Sequence, residues 1–242
     1  MRFSNFCGAT LFAALSAAQA PGYNGFPIFI PSTVPSNETL SFGSNYAVLN
    51  LDLINGIVGS VVNTSQGDAF ISNTARWIDA VHALNPPPLS IFTRIFFSTP
   101  QKPEIGPKAP FAQVGGALGT SDDPLTQIYP AFNVEENDAV LTKIRYYAGA
   151  GNALEEILSS QGIDTVVLSG IRTSGVIIST AYRLFDLDYK VYVIANNTIE
   201  SPPDTPDINN NILSGILPKL PVDVITIEQA LAALNQSGPA TY

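Results

Sequence analysis

Apolar positions along the chain follow two alternating patterns. Short, nearly unbroken apolar runs recur as "YAVLNLD" (46–52), "LSIFTRIFF" (89–97), "DAVLTK" (138–143), "DTVVLSG" (164–170), "YKVYVIAN" (189–196) and the opening of "VDVITIEQALAAL" (222–234). Runs of this length, bounded by polar or glycine residues, predict strands buried on both faces. Between them lie segments with helical spacing. "DAFISNTARWIDAVHAL" (68–84) brings Phe70, Ala75, Ile78 and Val81 or His82 near one face. "NALEEILSSQG" (152–162) is a short helix closed by glycine, "SGVIISTAYRLFDL" (174–187) a longer one, and the end of 222–234 the last. Strands alternating with helices predict right-handed βαβ units. The expected fold is one three-layer α/β/α domain over residues 45–242, with a six-stranded, mainly parallel sheet.

Two segments break this rhythm. Residues 21–44, "PGYNGFPIFIPSTVPSNETLSFGS", are rich in Pro, Gly and Ser and are expected to lie extended over the surface. Residues 98–133 are Pro/Gly-rich without clear periodicity, and connect the second and third strands at the strands' carboxyl end. A long loop there is a candidate lid or subunit contact, with Phe111, Tyr129 and Phe132 available to close an apolar pocket.

The first twenty residues read as a secretory signal. Arg2 supplies the positive start, "CGATLFAALSAA" a short apolar core, and Ala18-Gln19-Ala20 a small-residue cleavage pattern. The single cysteine, Cys7, would leave with that signal, so no disulfide and no thiol nucleophile are expected in the mature chain. Secretion makes the four sequons, at Asn37, Asn63, Asn196 and Asn235, candidate glycosylation sites. Acidic residues outnumber basic ones by 20 to 11, for a net charge of −9, which argues against nucleic acid and anionic membranes as partners. One histidine and one cysteine leave no zinc-type ligand set, and no glycine-rich phosphate loop is present, so neither metal nor nucleotide cofactor is expected.

In open α/β sheets, ligands bind beyond the carboxyl ends of the strands, where the strand order reverses. Three strands end in candidate polar groups: Asp52, Lys143, and the turn after Gly170. A carboxylate beside an ammonium can pass protons to a bound substrate. Each residue also has a plain structural reading, since strand-terminal Asp forms turns and strand-terminal Lys is often a solvated end. Arg94 and Arg172 are candidate anion binders, and Ser174 reads as a helix N-cap. His82, on the first helix, reads as a helix histidine without a catalytic role.

"AVLNLDLINGIV", the block from "AVLTKIRYYAG" through "VYVIAN", and "VITIEQALAAL" resemble the isochorismatase-like hydrolase family over most of residues 46–234. The family pattern is a first strand ending in Asp, a third ending in Lys, and a G-x-x-T-x-x-C turn opening a helix. By position the resemblance assigns catalysis to Asp52 and Lys143, and substrate contact to Arg172, Thr173, Ser174, Gly175 and Val176. It also implies a non-proline cis peptide in the turn, expected at Arg172–Thr173.

The chain departs from that pattern at two places. Val176 stands where the family's nucleophilic cysteine stands, and Ile54 where glutamine is usual. Valine offers no nucleophile, so the resemblance points to the family's cysteine-free branch, in which the strand-one aspartic acid protonates a vinyl ether without a covalent intermediate. The expected function is a secreted hydrolase of a small molecule, working by Asp/Lys acid–base chemistry and able to form a homo-oligomer. The alternative is an inactive copy of the fold used as a binding module. A third option is a cysteine-free activity in an internal compartment. An open, polar space around Asp52 would favour the first, and a space filled by Ile54, Val176 and residues 98–133 the second.

Overall fold

Six strands lie side by side in a computed structural model that describes residues 32–201 and 206–238. They are β1 (Tyr46–Leu51), β2 (Leu89–Ile95), β3 (Ala139–Lys143), β4 (Thr165–Ile171), β5 (Lys190–Ile199) and β6 (Asp223–Ile225). Every pairing is parallel and the order is β3-β2-β1-β4-β5-β6. The chain winds outward from β1 in one direction and from β4 in the other, so the order reverses between these two central strands. The helices are α1 (Asn55–Val58), α2 (Ser65–His82), α3 (Ala112–Gly115), α4 (Leu154–Ser160), α5 (Ile178–Asp186), α6 (Pro206–Asn211) and α7 (Ile227–Ser237). No described helix is long and apolar enough to cross a membrane.

Alternation along the strands divides the core. Ala47, Leu49 and Leu51 face one side with Val166 and Leu168, against Leu154 and Leu158 of α4 and Ala181 and Leu184 of α5. Tyr46 and Val48 face the other with Val167, against Trp77 and Val81 of α2 and Ala230 and Leu234 of α7. Both faces are covered, and for that reason β1 and β4 are buried along their whole length and read as continuous apolar runs.

Several boundaries differ from the sequence reading. α2 begins earlier, because Thr64 accepts the Gly67 N–H at 3.0 Å and caps the helix. The segment expected as one helix over 174–187 is a π-helical turn, Thr173–Ile177, running into α5. β5 extends to Ile199 through an irregularity opposite Leu168–Gly170, which carries it past the polar run that looked like its end.

Residues 98–133 hold α3 and a short 3₁₀ turn, Pro124–Thr126, and return to the chain after β1 through an antiparallel bridge between Ile54 and Ile128. The described part of the N-terminal segment runs over β6 and α7. Thr33 donates its N–H to Val224 O at 2.9 Å and accepts the Val224 N–H on its hydroxyl at 3.0 Å, covering the edge of β6. Phe42 then inserts among Tyr46, Trp77 and Tyr192, with ring centroids 5.1–6.3 Å away. The expected signal, Cys7 and the first residues of the extended segment lie outside the described residues.

Candidate active site

Asp52 follows β1 directly, with φ 58°, a left-handed conformation that an aspartate adopts at some cost. Lys143 is the last residue of β3, two strands away. The intervening strand, β2, contributes Thr93. Lys143 Nζ donates to Asp52 Oδ2 at 2.7 Å and to the Arg145 and Tyr146 carbonyls at 2.8 Å each, so all three ammonium hydrogens are engaged. Thr93 donates its hydroxyl to Asp52 Oδ1 at 2.8 Å and accepts the Asp52 N–H at 3.0 Å. The carboxylate is thereby held on both oxygens.

The pair lies away from water: Asp52 is 2% exposed and Lys143 0%. Burial raises the Asp52 pKa, opposed by the adjacent ammonium and by hydrogen bonds from Lys143 and Thr93. Burial lowers the Lys143 pKa, opposed by the carboxylate. The two shifts bring the proton affinities of the partners toward each other, as an acid–base pair needs.

The turn after β4 lies beside Asp52, because Gly170 pairs with Leu51 across the two central strands. Gly170 has φ 146°, and a Cβ there would fall 2.2 Å from the Leu51 carbonyl oxygen. Only glycine fits at that distance. A non-proline cis peptide is present, at Ile171–Arg172 rather than at Arg172–Thr173. β4 stops at Ile171 and helical winding starts at Thr173, so the bond between strand and turn falls one residue earlier than expected.

The other turn residues divide in role. Arg172 is half-buried, and among the described residues no carboxylate pairs with it. Thr173 is buried and donates its hydroxyl to Asn209 Oδ1 on α6. Ser174 is exposed and makes no capping bond with its side chain; Glu200 Oε2 accepts the Ser174 N–H instead, at 2.8 Å. A carboxylate from the end of β5 thus takes the place that the sequence reading gave to the serine hydroxyl. Gly175 is buried beneath Tyr146, whose ring would lie 2.7 Å from any added Cβ. Val176 is fully buried and belongs to the apolar core between the sheet and α4–α5. Ile54 is also fully buried, with Ile95, Phe97, Ile105 and Leu118. Asp52 itself is closed off from solvent.

The remaining candidates do not converge on this point. Arg94 Nε donates to Thr126 O at 2.7 Å and Nη2 to Ser121 O at 2.8 Å, so Arg94 ties down the 98–133 segment rather than waiting for an anion. Phe132 packs on Phe70 in the core and Tyr129 against Phe132, while Phe111 stands edge-on to Tyr146 at 5.7 Å. They belong to two places, not to one pocket wall. His82 is buried at the end of α2, with Nε2 3.1 Å from Asp138 just before β3, at the opposite end of the sheet. Of the sequons, Asn37, Asn63 and Asn235 are exposed; Asn196 lies within β5, half-buried, its Oδ1 accepting the Ile227 N–H at 2.9 Å.

Sequence reasoning missed Thr93, Glu200 and Asn209. Thr93 was visible as a polar residue inside an apolar strand, and Glu200 as the first carboxylate after the β5 run. Neither position could be matched to Asp52 or to the turn without knowing which strands are neighbours.

The isochorismatase domain family matches residues 46–229, and the chain belongs to that family. An isochorismatase family protein of Burkholderia thailandensis has the same fold, with a TM-score of 0.66 and 27% identity over 82% of this chain and 100% of that one. Among curated sequences, the uncharacterized isochorismatase family protein YwoC of Bacillus subtilis is 33% identical over 81 residues, covering 34% of this chain and 43% of the relative. The ureidoacrylate amidohydrolase RutB of Pseudomonas savastanoi pv. phaseolicola is 32% identical over 78 residues, or 32% of each chain. The chain thus spans less than half the length of either curated relative it matches.

Proposed function

We propose that the protein is a hydrolase that acts on a small molecule through proton transfer at Asp52, with Lys143 as its electrostatic partner and no covalent enzyme intermediate. The observation that carries this reading is the buried Asp52–Lys143 pair, held at 2.7 Å where the strand order reverses. A buried ion pair adds little stability that well-packed apolar residues would not also supply. Its presence together with a left-handed aspartate at a strand end marks a functional position. In its acid form Asp52 would deliver a proton to the substrate; water would add, and the proton lost by that water would return to the carboxylate. Lys143, with its three hydrogens engaged, holds the carboxyl in place and sets its proton affinity rather than touching the substrate.

A second reading draws support from the closure of the site. Asp52 is 2% exposed, and Ile54 and Val176 are both fully buried, each within an apolar cluster. The fold would then serve as a binding module.

A hydrolysis screen on residues 21–242, against vinyl-ether, ester, imide and amide substrates, separates the two. The amide class includes the chemistry named for the amidohydrolase relative. Asp52→Asn and Lys143→Ala run beside the parent, after their folding is checked. Turnover that falls at least about a hundredfold in Asp52→Asn, the span of a lost general acid, supports the hydrolase. No turnover in any class selects the binding module. The reading also takes the chain as secreted, glycosylated, and able to form a homo-oligomer, the last supported by exposed Tyr182 and Phe185 on α5.

A further inference from the structure

Glu200 is the buried carboxylate that the proton-transfer chemistry does not use. It lies just beyond β5, is 5% exposed, and forms no ion pair among the described residues. Instead it is held by backbone donors. Oε2 accepts the Ser174 N–H at 2.8 Å and Oε1 accepts the Ser201 N–H at 3.1 Å. Ser174 stands in the first turn of the continuous helical run Thr173–Asp186, where free N–H groups and the helix dipole favour an anion. The carboxylate is buried without a cation because this end of the helix replaces one.

The surrounding polar groups are also committed. Thr173 donates to Asn209, and the hydroxyls of Ser60 and Ser201 are 2.6 Å apart. Pairing of Leu51 with Gly170 and of Ile171 with Ile199 places Arg172 and Glu200 side by side just beyond β4 and β5, one residue further along than Asp52 beyond β1. Neighbouring strands are about 4.8 Å apart, so the Asp52 and Glu200 backbones are separated by roughly 10 Å, one on each side of the turn.

We propose that Glu200 determines the charge class of ligand that this site accepts: its carboxylate fills the oxygen-binding position at the start of the turn, turning away anionic ligands and leaving the site to neutral or cationic ones. This deepens the hydrolase reading and rests on it for the identity of the site, though not for its test. The Ser174 N–H and the Thr173 hydroxyl are thereby engaged within the protein, while the Ser174 hydroxyl stays exposed.

The test uses acetate and acetamide, two probes of similar shape that differ in charge. Binding is read from the backbone amide shifts of Ser174 and Gly175, with sodium chloride at equal ionic strength as the reference. In the parent, acetate leaves both amides unmoved. Glu200→Ala vacates the position, so its thermal midpoint drops and acetate, but not chloride, restores it while shifting the Ser174 amide in a saturable way. Glu200→Gln keeps an acceptor for the Ser174 N–H and removes only the charge, so it tests the proposal even where the alanine variant fails to fold. Its affinity for acetate relative to acetamide rises at least about tenfold, since a like-charge contact costs more than the 1.4 kcal/mol that a factor of ten represents.

An unchanged acetate-to-acetamide ratio in Glu200→Gln overturns the proposal. So does acetate binding at the turn in the parent, which would assign anion recognition to Arg172 regardless of Glu200. None of these readouts needs turnover, so a chain that hydrolyses nothing in the screen can still confirm or overturn the role of Glu200.

Discussion

Asp52 and Lys143 are each costly to bury alone and tolerable together. Removing Lys143 leaves a carboxylate in an apolar surround with only the Thr93 hydroxyl as partner. Lys143→Met is therefore expected to lose about 3–5 kcal/mol of stability, the usual result of breaking a buried pair. The pH dependence has a definite sign. Burial already raises the Asp52 pKa, and without the ammonium the main opposing influence is gone. A folded-state pKa above the unfolded value means that the native state binds the extra proton, so stability is retained below the unfolded pKa and lost as pH rises through the folded one. Urea unfolding of Lys143→Met should give a midpoint that falls from pH 5 to pH 8 more steeply than the parent's; a parallel pair of curves would contradict it. Both residues were legible in the sequence, because a charged residue ending an apolar run stands out. Thr93 and Glu200 were not, because their partners come from other strands.

The turn joining β4 to α5 is the element on which the site depends. Gly170 approaches β1 so closely that a side chain there would displace the Leu51 carbonyl. Gly170→Ala is expected to cost about 2–3 kcal/mol through this clash and to move the turn relative to Asp52. Gly162 provides the comparison. It too has positive φ, at +63°, but a Cβ there meets nothing within 4 Å, so Gly162→Ala should cost only about 1–2 kcal/mol from backbone conformation. Equal losses in the two variants, measured by denaturant midpoint, would show that close approach to β1 does not matter. At this scale the pattern of apolar runs located every strand, since buried parallel strands are apolar throughout. The resemblance placed the cis bond one residue too late, and helical spacing read the π-helical turn as ordinary helix.

Across the whole molecule, exposure separates residues that share a sequence motif. Asn37, Asn63 and Asn235 project from the surface, whereas Asn196 is half-buried within β5 and uses its side-chain carbonyl to cap Ile227 at the start of α7. The protein secreted from a eukaryotic host should begin at residue 21 and carry glycans at Asn37, Asn63 and Asn235 but not at Asn196. Mass spectrometry of tryptic peptides before and after enzymatic deglycosylation reads this directly. A glycan on Asn196 would mean that modification precedes the closing of β5 against α7.

Apolar periodicity was enough to determine the α/β/α architecture and the mainly parallel sheet, and it marked Asp52 and Lys143 as charged strand ends to which the family resemblance gave roles, because those features depend on local burial along one strand or helix at a time. The order of the strands, with its reversal between β1 and β4, was decided only in three dimensions. So were the burial of Ile54 and Val176 in separate apolar clusters, the capture of Arg94 by the 98–133 segment, and the placing of Glu200 against the Ser174 N–H. Each of these brings together residues tens of positions apart, and the energy that selects them comes from packing and hydrogen bonding between elements rather than from any pattern within one.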